Sequence, residues 1–149
     1  MSKQVKVPDI MAEFPDNPGL VAGMQSIQQG FKYGNYTPTL TNITAPPAGK
    51  LRGAYQLCGK VCHVAVILDY SGTATAMTIT AGNSLTLPFK ASSGTYGIVE
   101  NPIPLVSSTA GTLIGFGLFD TSTGNRVTFS NRAGTNGEIM YLFGFYWVD

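Results

Sequence analysis

The side chains best equipped for chemistry cluster in "YQLCGKVCHVAVILDY", where Cys58, Cys62 and His63, the only histidine of the chain, fall within six residues. Zinc would use such groups, but it takes three or four ligands at familiar spacings. One Cys-x-x-x-Cys-His hairpin supplies at most three, and it aims them at different faces. The segment reads as two strands around a Gly59-Lys60 turn, with Gly at the first central position as a type II′ turn requires. A two-residue loop pairs Cys58 with Val61, Leu57 with Cys62, Tyr55 with Val64, Gly53 with Val66 and Leu51 with Leu68. The two thiols then point to opposite faces. A three-residue loop would set them opposite each other but would scramble the apolar pairing. The reading is two free structural cysteines, a surface histidine and no metal site.

Other constellations are as thin. Ser71, Ser92 and Ser130 have no neighbouring base and no Gly-x-Ser-x-Gly setting. The eight carboxylates are Asp9, Glu13, Asp16, Asp69, Glu100, Asp120, Glu138 and Asp149; none forms an adjacent pair of the glycosidase kind. "GTLIGFG" (Gly111 to Gly117) lacks the Lys and Ser/Thr of a phosphate loop, so its glycines are read as relieving crowding in a packed strand. "NYT" at Asn35 and "NIT" at Asn42 match the glycosylation pattern without a secretion signal beside them. No cofactor and no catalytic residue is expected. Tyr33, Tyr36, Tyr70 and Tyr96 offer either a stacking surface for a sugar or packing at strand ends.

The elements that must position these groups are strands. With 149 residues, the chain is one domain's worth, able to bury roughly 70% of the surface it exposes unfolded. Charged residues make up 11%, against about 25% in an ordinary domain; Ser, Thr, Gly and Asn replace them. Such a surface suits packing against protein. The net charge of +1, with nine basic residues scattered from Lys3 to Arg132, gives no phosphate-binding patch and excludes nucleic acid as a partner. No apolar run is long enough for a membrane span. The start, "MSKQVKVPDIMAEF", lacks a secretory apolar region, so synthesis in a cytoplasm is expected.

Residues 1–34 differ from the rest. Residues 1–16 read as an extended arm with apolar points at Val5, Val7, Ile10, Met11 and Phe14. Asn17 as N-cap and Pro18 at the first turn then open a short amphipathic helix, whose stripe is Leu20, Met24, Ile27 and Phe31. Gly23 and Gly30 weaken it, so the stripe must dock on the domain or on sister chains. From residue 35 to 149 the pattern is all β, with strands expected at 36–41, 50–58, 61–70, 75–80, 84–89, 96–100, 112–119, 126–131 and 138–148. Turn signals include Gly82-Asn83 and Asn136-Gly137, the latter read as a hairpin. Eight or nine strands imply an antiparallel, jelly-roll-like β-sandwich. The last strand is apolar on both faces, with Tyr141, Phe143, Phe145 and Trp147 on one and Leu142, Tyr146 and Val148 on the other. One face belongs to the core; the other needs the N-terminal helix or a neighbouring subunit. Tyr146 and Val148 join Leu20, Met24, Ile27 and Phe31 as expected trimer or packing contacts.

"YTPTLTNIT" followed by "GAYQLCGKVCHVAVIL" resembles a small β-sandwich module of tailed-bacteriophage virion proteins. The matching residues are Tyr36 to Asn42, Tyr55, Gly59, Lys60 and the Val64, Val66, Leu68 series, with "SLTLPF" at 84–89 similar to the module's Leu-x-Leu-Pro element. Cys58 and Cys62 depart from the small residue and Val or Thr usual beside that turn. The resemblance spans roughly residues 34–89 and implies a trimer-forming sandwich on a phage particle; it transfers no catalytic residue. The expected role is a head decoration or cement protein, a homotrimer that binds the major capsid protein and stabilises the shell through the arm. The rival is a head or tail fibre whose loops at 71–76 and 91–95 recognise a host-surface glycan. Within the motif, Pro38 lacks a ladder donor, so "YTPTLTN" is expected at a sheet edge.

Overall fold

A computed structural model describes residues 31–92, 103–107, 112–119 and 125–148. These form ten strands: β1 (Phe31–Tyr36), β2 (Leu40–Ile43), β3 (Leu51–Cys58), β4 (Val61–Asp69), β5 (Ala76–Thr86), β6 (Ile103–Ser107), β7 (Thr112–Phe119), β8 (Arg126–Phe129), β9 (Arg132–Asn136) and β10 (Ile139–Trp147). All pairings are antiparallel, in the order β1-β3-β4-β10-β6-β7-β8-β5-β2, with β9 on β5. The class is all-β, and among the described residues no helix is long and apolar enough to cross a membrane.

The β3–β4 hairpin has the expected register throughout, from Cys58↔Val61 to Leu51↔Leu68. Gly59 sits at φ 59, in the left-handed region that the turn demands and glycine tolerates. One face of each arm therefore turns inward. Cys62, Val64, Val66 and Leu68 of β4 meet Met140, Leu142 and Tyr146 of β10, Ile103 and Leu105 of β6, Val127 of β8, and Met77, Ile79 and Leu85 of β5 in a single interior. Each such side chain contributes about 1.5–3 kcal/mol by leaving water.

The path must curl. A flat row of nine strands would hold β1 and β2 about 38 Å apart at about 4.8 Å per strand. Yet Thr37-Pro38-Thr39 alone joins them, and four Cα steps reach at most about 14 Å. The motif that opened the β region is thus a strap between the two free edges. It is fastened by Thr39 N–H donating to Thr86 Oγ1 (2.8 Å) and Thr86 N–H donating to the Thr39 carbonyl (3.0 Å). β2 is an edge strand, as Pro38 demands, but the expected strand 36–41 is split: proline has no N–H and disfavours regular continuation.

Several expectations are corrected. The strands expected at 75–80 and 84–89 are one, β5; Gly82 (φ 70) bends the chain without ending the strand. β6 and β9 were not expected. Pro104 lies within β6, beyond the point where the β10 ladder stops at Leu105 but still paired with Phe116 of β7. Asn136-Gly137 is a turn, with Gly137 at φ 73, but not a hairpin: β9 pairs with β5, whereas β10 lies between β4 and β6. A strand apolar on both faces takes an internal position. Of the trimer or packing contacts expected of Tyr146 and Val148, it is packing that holds: they are 3% and 7% exposed, in the chain's own core. Phe31 begins β1 rather than ending a helix, so β1 also crosses the boundary placed between residues 34 and 35. The arm residues Val5, Val7, Ile10, Met11 and Phe14, the stripe residues Leu20, Met24 and Ile27, and the strand expected at 96–100 lie outside the described residues.

Candidate functional site

Alternation along β10 sends Met140, Leu142 and Tyr146 inward and leaves Tyr141, Phe143, Phe145 and Trp147 36–51% exposed. The neighbouring strands extend this outward face in rows fixed by the register. Trp147 lies beside Val61, Cys58 and Phe31; Phe145 beside His63, Gln56 and Tyr33; Phe143 beside Ala65, Ala54 and Asn35; Tyr141 beside Ile67 and Arg52. Phe31 and Tyr33 are each 38% exposed. The Ala54–Ala65 pair makes a low floor, and over it lies a shallow trough of ≈ 600 Å³ walled by Tyr33, Gln56, His63, Phe143 and Phe145. The His63 and Phe145 rings stand 5.8 Å apart. The six rings present about 500 Å² of apolar surface at about 200 Å² per aromatic side chain. That is the upper end for the largest patch on a monomer, about 300–600 Å².

A second apolar field lies on β7, where Leu113, Phe116 and Leu118 are 54%, 47% and 57% exposed. Residues 113 and 116 differ in parity, yet both face outward because a bulge opposite Leu105 and Val106 shifts the register. Gly117 faces the core, where a Cβ would lie 2.2 Å from Val127 Cγ1. The crowding read from "GTLIGFG" is therefore real at Gly117 but absent at Gly115, where a Cβ would meet nothing within 4 Å; the exposed set beside it was missed.

The groups examined for chemistry are not brought together. Cys62 is buried and Cys58 exposed, both free, on opposite faces of the hairpin, and His63 points outward. Among the described residues no group of three or more His, Cys, Asp or Glu could hold a metal ion. Burial pushes the Cys62 thiol up, with a hydrogen bond to Tyr146 partly offsetting it, which disfavours a thiolate. Of the four tyrosines weighed for sugar stacking, Tyr70 is fully buried and donates to the Thr44 carbonyl. Tyr36 packs over Gly53, and its hydroxyl is buried without a partner among the described residues. Burial raises both phenols. Tyr33 alone joins the outward face; Tyr96 lies outside the described residues.

Both described carboxylates are structural. Glu138 is buried beside Arg132 (3.2 Å). Asp69 accepts the Ser71 N–H (2.8 Å) and faces Lys50 (3.7 Å). Hydrogen bonds from Ser71, then the charges of Lys50 and Arg52, hold its carboxyl below the usual range. Its contribution is therefore present above the unfolded value of about 4 and is lost as pH falls through the lower folded value. The urea midpoint of the wild type should exceed that of Asp69→Asn at about pH 7 and converge with it by about pH 2; an unchanged gap at low pH would contradict this role.

Comparison of the chain with protein-family models, with curated proteins and with solved structures finds no match to any of them.

Proposed function

We propose that this chain is a structural, non-enzymatic protein of a tailed-bacteriophage virion: a head decoration or cement protein that sits on the capsid as a homotrimer. The supporting observation is the β7 field, where Leu113, Phe116 and Leu118 are about half exposed on one strand. Apolar contacts of that kind suit protein neighbours, and a surface poor in charge suits close packing in an assembly. The motif at residues 36–42 and the Gly59-Lys60 turn support the phage reading by resemblance. The curled strand path suits the proposed jelly-roll-like sandwich. Residues 1–16, through Val5, Val7, Ile10, Met11 and Phe14, anchor the trimer to the major capsid protein. Binding only the assembled lattice stabilises it by mass action.

Deleting residues 1–16 should leave a folded trimer and abolish capsid occupancy; occupancy equal to wild type would overturn the anchoring role. A second reading, a head or tail fibre that binds a host-surface glycan, is favoured by the trough, where Gln56 and His63 offer hydrogen-bonding groups beside aromatic rings. It predicts that Gln56→Ala lowers adsorption to the host and leaves particle stability unchanged.

A further inference from the structure

The trough on the outward face does not end at its Ala54–Ala65 floor. A second hollow of ≈ 360 Å³, bordered by Asn35, Arg52 and Ile67, shares Ala54 and Ala65 with it. Together they make one shallow groove over β3 and β4. The outward positions of β3 run Arg52, Ala54, Gln56, with about 7 Å between successive members. The low floor therefore has a guanidinium on one side and an amide on the other, and Asn35 is paired with Ala54 across it. The rings of Phe143 and Phe145 stand along the β10 side, and Tyr33 along the β1 side.

These polar groups are uncommitted. Among the described residues, the side chains of Asn35, Arg52 and Gln56 have no hydrogen-bond partner and no ion pair. Asp69, the one carboxylate that the described residues place on this face, is taken by the Ser71 N–H and by Lys50 at 3.7 Å. Hydrogen bonds from Ser71 do most to hold its carboxyl down, and the Arg52 charge does least. Lys50 and Arg52 thus face a single carboxylate, and one positive charge is left over at the groove.

This arrangement discriminates among occupants. Nucleic acid carries charge too densely for one guanidinium to neutralise. An extended peptide docks on a sheet edge through free backbone groups, whereas β3 and β4 have strands on both sides. A sugar ring needs what the groove offers: aromatic faces for its C–H groups and amides that both donate and accept for its hydroxyls. An acidic sugar would also use the guanidinium, whose fork matches a carboxylate.

We propose that this groove binds an acidic glycan, with a uronic-acid ring over Ala54 and Ala65 against Phe143. Its carboxylate pairs with Arg52, and hydroxyls of the neighbouring ring bond to Gln56. The inference rests on the glycan reading and names the class of glycan.

Titration calorimetry of the full-length protein with hexamers of galacturonate, mannuronate and hyaluronan, each beside its carboxyl methyl ester, tests this. At least one uronate should bind about tenfold more tightly than its uncharged ester. Arg52→Gln should abolish that preference and leave the ester affinity unchanged, while Arg126→Gln on β8 should preserve it. Ala54→Leu, which fills the floor, should remove binding of both forms. Arg52 and Ala54 are exposed, so neither change disturbs the core. Equal affinity for acid and ester would overturn the acidic class and leave the glycan reading standing. Equal effects of Arg52→Gln and Arg126→Gln would assign the preference to diffuse charge, and binding unaffected by Ala54→Leu would place the ligand elsewhere; either overturns the proposal. Displacement of the uronate by hexaglutamate at equal concentration would overturn it in favour of an acidic peptide. Binding of no uronate in either form would overturn it too, while the glycan reading itself is decided separately by host adsorption of Gln56→Ala.

Discussion

Replacing Asn83 by Ala is expected to destabilise the fold by about 3 kcal/mol, since up to three backbone groups lose a buried partner at about 1–3 kcal/mol each. Asn83 is 4% exposed, and its side chain acts as a piece of backbone. Its Oδ1 accepts the Phe129 N–H (2.7 Å), while its Nδ2 donates to the Phe129 carbonyl (2.8 Å) and to the Thr80 carbonyl (2.9 Å). The side chain thus continues the β5–β8 pairing beyond the last ladder pair, Leu85↔Val127. Urea unfolding of wild type and variant gives the difference. Asn83→Asp is the informative partner: it keeps one acceptor, loses both donors and places a charge in a dry site. Its carboxyl should titrate above the unfolded value, so the variant should gain stability relative to wild type as pH falls. Stability within about 0.5 kcal/mol of wild type for Asn83→Ala would mean that solvent replaces these bonds.

Arg132→Ala should cost about 3 kcal/mol, because it strips the partner from a buried carboxylate. Glu138 takes the Arg132 guanidinium at 3.2 Å and the Thr135 N–H at 3.3 Å. Its carboxylate lies over Gly134, where a Cβ would come within 2.9 Å of Oε2. Its own carbonyl accepts the Tyr70 N–H at 3.0 Å, which ties the β9–β10 turn to the end of β4. Since the loss comes from an uncompensated charge, the double variant Arg132→Met with Glu138→Gln should recover most of it. Thermal denaturation of wild type, Arg132→Met, Glu138→Gln and the double variant separates the pair energy from packing, and strictly additive losses would contradict the coupling.

Local chemistry was legible wherever it decided the structure. The II′ turn at Gly59-Lys60 and the alternation around it fixed every pair of the β3–β4 register, and with it the divergence of Cys58 and Cys62. Long-range choices were not legible. Asn136-Gly137 marks a turn, but no local signal says that β9 will pair with β5 and β10 with β4 and β6. At Gly82-Asn83 a left-handed glycine and an asparagine read as a turn, whereas the amide holds Phe129 and the strand continues. In β10 the two apolar sets were visible, but not which set the core would take. The interior has room for Leu142, Tyr146 and Val148, with Gly144 leaving space for Ile103 (a Cβ there would lie 3.2 Å from Ile103 Cγ2). The outward field needed strand order to assemble Phe31 and Tyr33 with Phe143 and Phe145, and the β7 field needed a bulge that shifts parity.

The virion reading is tested most directly by the copy number of this chain in purified particles, set against the major capsid protein on one calibrated gel. A decoration protein predicts a number comparable to that of the capsid protein. A number comparable to the tail proteins would contradict the head role and favour a fibre, and absence from the particle would contradict the virion reading itself.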